Sequence, residues 1–166
     1  MKKFLRYCWL LLAPWAVNAQ VDTAAIKPPS DSAARPRVAV FLPLYLDSAF
    51  DAAGNYRYDN SFPKFMHAGL EFYEGMELAL DTLTKERVRL DVQIYDTRSA
   101  GRSAESVMNS PGFQGTGLII GVVASGGEEQ QFAAAALRQH IPFINVNYPN
   151  DAGITGNPSL VILNST

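Results

Sequence analysis

A serine followed by two glycines stands between a predicted strand and a predicted helix, at residues 125–127. Ser125 takes the position of a helix N-cap, and Glu128 follows three residues later, which has the form of a capping box. Gly126 and Gly127 lack a Cβ atom, so the first backbone N–H groups of the helix are accessible to a ligand. With the positive end of the helix dipole behind them, these donors suit a carboxylate or another acceptor. Alternatively, Ser125 only caps the helix, which requires no ligand.

Two carboxylates follow directly, at Glu128 and Glu129. We expect them to repel an anionic ligand at this helix end, because their side chains and the carboxylate of such a ligand all carry negative charge. The repulsion from Glu128 is smaller if its side chain turns back to accept a backbone hydrogen bond in the capping box. The two glutamates therefore argue against an α-amino acid as the ligand.

Amide and aromatic side chains follow the next predicted strand, at Asn147, Tyr148 and Pro149. The carboxyl ends of parallel strands lie on one edge of a sheet, where ligands of open α/β sheets bind. We therefore expect these residues near Ser125. Their side chains suit recognition of a polar ligand, and they equally suit an ordinary turn.

The sequence lacks the patterns of common catalytic and metal sites. Val123 replaces the first glycine of the Gly-x-Ser-x-Gly elbow around Ser125, which argues against a serine hydrolase. His67 and His140 belong to no cluster with metal-ligand spacing. There is also no phosphate-binding loop. We therefore predict a protein that is not an enzyme and has no catalytic residue, metal or cofactor.

Strand and helix patterns alternate along the chain, and this order determines where Ser125 and residues 147–149 lie in the fold. Predicted strands cover residues 38–44, 89–95, 118–123, 143–146 and 159–163, and predicted helices cover 70–85, 103–109 and an alanine-rich stretch after Ser125. This alternation predicts an α/β fold with a doubly wound, Rossmann-like parallel sheet. Phe72, Met76, Ala79 and Leu83 form the apolar stripe expected to face the core. Polar and apolar residues alternate in segment 89–95, which predicts a half-exposed strand near an edge.

The connection from Tyr45 to Gly69 is long, since about 2 to 6 residues are usual between a strand and a helix. It is rich in aromatic residues and also carries charged ones. It leaves the carboxyl end of the first strand and so lies on the same edge as Ser125. It is therefore a candidate lid or specificity loop, with Tyr45, Tyr56, Arg57 and Tyr58 as candidate contacts. The alternative is a packed surface insertion.

The first 19 residues have the features of a secretion signal. Lys2, Lys3 and Arg6 precede a short apolar run, and small residues precede a cleavage site that we place after Ala19. The run is too short for a membrane span. The predicted product is a periplasmic protein with a disordered tether at residues 20–36 and one domain at residues 37–166. Cys8 is the sole cysteine and leaves with the signal, so no disulfide forms.

The charge of the exported chain bears on its partners. Loss of the signal leaves 11 basic residues against 16 acidic ones, a net charge of about −5. Such a balance disfavours nucleic acid and anionic lipid as partners.

Several motifs together resemble the N-terminal lobe of type I periplasmic binding proteins, the branched-chain amino acid receptor class. They are Val38 to Leu44, Phe72-Tyr73-Glu74-Gly75-Met76-Glu77-Leu78-Ala79, Tyr95-Asp96-Thr97, Leu118-Ile119-Ile120-Gly121 followed by Ser125, and Ile141-Pro142-Phe143-Ile144. The helix and first-strand motifs more closely resemble a Bacteroidetes-type branch that is sometimes fused to LysM modules. Val122 departs from the family pattern, which has a proline there.

The resemblance implies a two-lobed receptor that closes on a solute and presents it to an ABC-transporter permease. It implies ligand-contact positions at Ser125, Asn147 and Pro149. The sequence matches one lobe, so we expect either a fragment or a lobe that works alone. The alternative function is an envelope scaffold or cell-wall regulator with a vestigial cleft, which the aromatic connection favours.

Overall fold

A computed structural model describes residues 35–59 and 61–164 of the chain. The predicted secretion signal and residues 20–34 of the predicted tether lie outside the described residues. The strands are β1 (Arg37–Leu42), β2 (Asp91–Asp96), β3 (Thr116–Gly121), β4 (Phe143–Asn145) and β5 (Leu160–Ile162). The helices are α1 (Leu46–Ala49), α2 (His67–Lys85), α3 (Ala104–Met108) and α4 (Gly126–Gln139), with short 3-10 turns at Lys64–Met66 and Pro111–Phe113.

All five strands run parallel in one sheet, in the order β2-β1-β3-β4-β5. Val38 pairs with Val92 on one side and with Leu118 on the other, and Ile120 pairs with Ile144. β2 lies at an edge, as its alternating pattern predicts. The predicted α/β parallel sheet is thus confirmed.

Helices cover both faces of the sheet because its strands are apolar on both sides. One face carries Phe41, Ile119 and Phe143, which are fully buried against Phe132 of α4 and Val107 of α3. Burying each such side chain contributes roughly 1.5–3 kcal/mol. This confirms the doubly wound arrangement.

The opposite face packs against α2. Val40 and Leu42 of β1 lie there in one cluster with Phe72 and Met76. Gly69 permits the close approach of α2 to β1, since a Cβ atom there would lie 2.5 Å from the carbonyl oxygen of Pro43.

Two details of α2 differ from the sequence-based predictions. The helix begins at His67 rather than Leu70, because a 3-10 turn at Lys64–Met66 leads directly into it. Ala79 was predicted to face the core but is exposed. Tyr73 packs against the sheet instead, so the buried stripe is rotated toward Tyr73 and away from Ala79.

Candidate functional site

The strand order reverses direction between β1 and β3, which are neighbours in the sheet. From β1 the chain passes through α2 on one face to β2, and from β3 it passes through α4 on the other face to β4. The two connections therefore diverge at the carboxyl ends of β1 and β3. A crevice at such a switch point is the usual ligand site of an open α/β sheet.

Ser125 caps α4 at this point, as its spacing predicts. Its backbone is extended and its Oγ accepts a hydrogen bond from the Glu128 N–H at 3.3 Å. Ser125 and Gly127 are exposed, while Gly126 is half-buried. Within the described part of the chain, no acceptor reaches the N–H groups of Gly126 and Gly127. The Ser125 hydroxyl hydrogen and these two N–H groups form a set of free donors.

Glu128 turns away from these donors. Its Oε2 accepts from the Ala124 N–H at 2.8 Å and from Arg98 Nη2 at 3.0 Å. The reciprocal bond of the capping box thus goes to Ala124 rather than to Ser125. The Arg98–Glu128 ion pair is mostly buried on the Glu128 side, whose side chain is 14% exposed. The charge of Glu128 is therefore balanced, and the expected repulsion of an anionic ligand is reduced.

Glu129 also points away from the donors, into the core. It is fully buried, and its Oε1 accepts from Asn145 Nδ2 at 2.7 Å. Burial raises the pKa of Glu129, the hydrogen bond from Asn145 lowers it in part, and the negative charge of Asp151 raises it further. The sequence analysis missed this burial. The spacing of Glu129 with Phe132, Ala133 and Ala136, at i+3, i+4 and i+7, carries the signal for it.

The Asn147 side chain forms two hydrogen bonds with the backbone of Val123, just beyond the end of β3. Its Oδ1 accepts from the Val123 N–H at 2.8 Å, and its Nδ2 donates to the Val123 carbonyl at 2.7 Å. The amide thus extends the pairing of β3 with β4 beyond their last backbone pair. Its predicted role in ligand binding remains a prediction, although both polar atoms already have partners.

Asn145 organises the turn that carries Tyr148. Its Oδ1 accepts from the N–H groups of Asn147 and Tyr148, and its Nδ2 donates to the Tyr148 carbonyl. The Tyr148 hydroxyl lies beside the start of α4, since a Cβ atom built on Gly126 would be 3.3 Å from it. Pro149 follows as a half-buried residue. Tyr148 is thus brought together with Gly126, as the sequence predicts for the sheet edge.

The carboxyl end of β2 supplies a residue that shapes the neighbouring loop. Asp96 accepts from the N–H groups of Leu44, Tyr45 and Leu46 at 3.0, 3.1 and 2.8 Å. It also accepts from the Arg98 N–H at 2.9 Å, a bond to the backbone two residues on that is usual for an Asp at a turn. The bonds across to residues 44–46 were not foreseen, because they join segments about 50 residues apart.

The predicted long connection forms a self-packed aromatic segment, residues 45–66. Tyr45 and Phe65 have ring centroids 4.9 Å apart, Tyr58 lies 6.2 Å from Phe65, and Tyr56 lies 5.8 Å from Tyr58. The Arg57 side chain is exposed. These contacts stiffen the segment and leave both interpretations, lid and surface insertion, open.

A turn inside this segment is fixed by Asp51. Its Oδ1 accepts from the N–H groups of Ala53 and Asn55, and its Oδ2 accepts from Asn55 Nδ2. The hydrogen bonds from Asn55 lower the pKa of Asp51. Phe50 and Tyr56 then form an antiparallel bridge across the turn. The turn between Phe50 and Tyr56 therefore has a defined backbone.

Among the described helices, none is long and apolar enough to cross a membrane. The described residues also contain no group of three or more His, Cys, Asp or Glu side chains that could hold a metal ion. Neither finding bears on the residues outside the described ranges.

Comparison with protein-family models, with curated proteins and with solved structures found no match to this chain. The class that fold and site define is therefore an α/β domain with a free helix N-terminus at the switch point of its parallel sheet.

Proposed function

We propose that this chain is an exported, non-enzymatic solute-binding protein. Its ligand is a small polar molecule with a carboxylate or a similar acceptor group, of which an amino acid is one example. The acceptor binds the hydroxyl of Ser125 and the N–H groups of Gly126 and Gly127. The observation that carries the proposal is that no acceptor among the described residues reaches these donors, while Glu128 and Glu129 both turn away from them.

The electrostatics of the site support a ligand with an acceptor group. The start of α4 has a partial positive charge, which favours an anion. Arg98 offsets the charge of Glu128 next to it. The Tyr148 hydroxyl beside Gly126 offers a further polar contact.

We further propose that the protein is exported and delivers its solute to a membrane transporter. The predicted secretion signal places the protein in the periplasm, and the resemblance to type I periplasmic binding proteins favours an ABC-transporter permease as the partner that receives the solute. In that class a second lobe closes the site, and the motifs of this chain resemble those of the first lobe.

The test is a binding screen of the chain against free amino acids and small carboxylic acids by calorimetry, with three matched variants. Gly127→Leu places bulk over the donors, and a Cβ atom there meets only the distant Ser125 Oγ, at 4.0 Å. Gly75→Leu is the control, because it makes the same exchange in α2, where a Cβ atom meets nothing within 4 Å. Ala134→Leu fills a surface groove between α3 and α4 that Gly127 also lines.

We expect Gly127→Leu to weaken binding by at least about tenfold, which corresponds to roughly 1.4 kcal/mol. Gly75→Leu and Ala134→Leu are expected to bind like the parent chain. All three variants should fold, since Leu has a higher helix propensity than Gly and one close to that of Ala. Equal binding by Gly127→Leu and Gly75→Leu would refute the site, and a loss with Ala134→Leu would move it to the groove.

A second candidate function is an envelope scaffold that contacts cell-wall machinery. The exposed rings of Phe50, Phe62 and Phe65 in the aromatic segment favour it, at 41%, 60% and 44% exposure. Cross-linking in native cell envelopes separates the two functions. A scaffold should recover cell-wall enzymes, whereas a solute receptor should recover a permease.

A further inference from the structure

Arg98 reaches across the switch point of the sheet. Its backbone follows β2, where the Thr97 N–H still donates to the Leu42 carbonyl of β1 at 2.8 Å. Its Nη2 atom donates to Glu128 Oε2 at 3.0 Å, in the first turn of the helix that follows β3. Because β1 lies between β2 and β3, the side chain of Arg98 passes the carboxyl end of β1 to make this bond.

The backbone of Arg98 is fixed as well as its side chain. Asp96 Oδ1 accepts from the Arg98 N–H at 2.9 Å, and the same oxygen accepts from the N–H groups of Leu44 and Tyr45 beyond β1. The Nε atom of Arg98 is buried and has no hydrogen-bond partner in the described part of the chain. The bond to Glu128 is therefore the polar contact that orients the guanidinium.

One carboxylate oxygen connects Arg98 to the candidate site. Glu128 Oε2 also accepts from the Ala124 N–H at 2.8 Å, and Ala124 directly precedes Ser125. The side chains of Arg98 and Glu128 are 29% and 14% exposed. Charges interact more strongly in such a partly desolvated position than on the open surface. The charge of this pair therefore acts on the neighbouring ligand donors.

We propose that Arg98 is a positioning residue that fixes the charge preference of the ligand site. It orients the Glu128 carboxylate and balances its charge, so that an anionic acceptor can bind at the start of α4. Without Arg98, the same donors lie beside an uncompensated carboxylate and favour a neutral acceptor, such as an amide, over an anion. The ligand arm of this inference rests on the proposed function, whereas its structural arm needs no ligand.

The structural arm measures how strongly the two side chains are coupled in the unliganded chain. Urea unfolding of the parent, Arg98→Gln, Glu128→Gln and the double variant forms a double-mutant cycle. Loss of one partner leaves a partly buried charge unpaired, whereas loss of both leaves none. We expect a coupling of at least about tenfold in the folding equilibrium constant. A coupling near unity would show that Arg98 does not balance Glu128 and would overturn the inference even if a solute binds.

The ligand arm compares acetate with acetamide, two probes of similar size that differ in charge. Their binding is followed through the amide signals of Gly126 and Gly127. We expect Arg98→Gln to weaken acetate binding by at least about tenfold, because Glu128 then repels the anion, and to leave acetamide binding unchanged. The double variant carries neither charge and should regain the parent's affinity for acetate. Arg102→Gln is the control, since it removes an exposed arginine from the same connection, and it should bind both probes like the parent.

Other results would contradict this role of Arg98. Unchanged acetate affinity in Arg98→Gln, or an equal loss of both probes, would exclude control of the charge preference. A double variant that still binds acetate weakly would show that Arg98 contacts the anion directly rather than acting through Glu128. Each of these results overturns the inference while the solute site stands. If the Gly126 and Gly127 signals of the parent respond to neither probe, the proposed function and this inference fail together.

Discussion

Two asparagines at the end of β4 use their side-chain amides to hold the backbone next to the candidate site. Asn147 replaces a backbone pairing partner for Val123, and Asn145, two residues earlier, is buried and shapes the turn at Tyr148. Neither amide has a free polar atom aimed at solute. The free donors of the candidate site are the Ser125 hydroxyl and the backbone N–H groups of Gly126 and Gly127. Ligand binding there therefore depends more on backbone geometry than on the types of the side chains.

Replacement of Asn147 by Ala is expected to destabilise the fold. It leaves the N–H and the carbonyl of Val123 without their partners, and each such loss costs about 1–3 kcal/mol when the group stays desolvated. Urea unfolding measures the change. Asn109→Ala is the control, since Asn109 is exposed and makes no side-chain hydrogen bond in the described part of the chain, and such changes stay within about 0.5 kcal/mol. Equal stability of the two variants would show that the Asn147 amide is dispensable and free for ligand.

At the scale of elements, α1 depends on a residue from β2. Tyr45 precedes α1 with φ of 55°, a left-handed conformation, and offers the helix no side-chain cap. Asp96 supplies the missing acceptor for the N–H groups of residues 44–46. The start of the aromatic segment is therefore anchored to the sheet edge beside the candidate site.

Removal of this anchor by Asp96→Ala should loosen α1. We expect faster amide hydrogen exchange at Leu44, Tyr45 and Leu46, and a loss of about 1–3 kcal/mol in unfolding free energy. Asp81→Ala is the control, because the one ion pair of Asp81 with a described residue is with the exposed Lys85 on α2, and exposed pairs contribute about 0–1 kcal/mol. Unchanged exchange at residues 44–46 in Asp96→Ala would contradict the anchoring role.

The elements that sequence predicted well are those with a periodic pattern. The strands and the α/β class follow from apolar runs and, for β2, from the alternation of polar and apolar residues. The Ser125 cap follows from spacing within one turn. α1 has four residues, too few to show a helical period. The Asp96 anchor and the Glu129–Asn145 pair join residues far apart in sequence or across two elements, so local patterns did not predict those pairings.

At the scale of the whole molecule, the two sheet faces are covered unequally. α3, α4 and residues of the connection after β4 pack on one face, whereas α2 covers the other near β1 and β2. Val161 and Leu163, at the β5 end of the sheet, are 42% and 63% exposed. This uneven cover agrees with the expectation that the described domain is one lobe, although that expectation remains a prediction.

Export gives a prediction for the whole chain. Expressed with its own N-terminus in a Gram-negative host, the protein should appear in the periplasmic fraction with Gln20 as its first residue, because small residues before that point suit signal peptidase. Intact-mass measurement of the fraction checks this. Ala19→Arg should block cleavage and retain the uncleaved chain. A periplasmic product that still begins at Met1 would contradict the predicted signal.

The most direct test of the central claim is nitrogen-15 NMR of the chain during titration with a mixture of free amino acids, followed by small carboxylic acids. The account predicts saturable shifts of the amide signals of Ser125, Gly126 and Gly127, with smaller shifts at Tyr148, because the bound acceptor group receives their hydrogen bonds. Gly127→Leu should abolish these shifts, and Gly75→Leu should preserve them. Saturable shifts confined to other residues, or none with either mixture, would contradict a solute site at the start of α4.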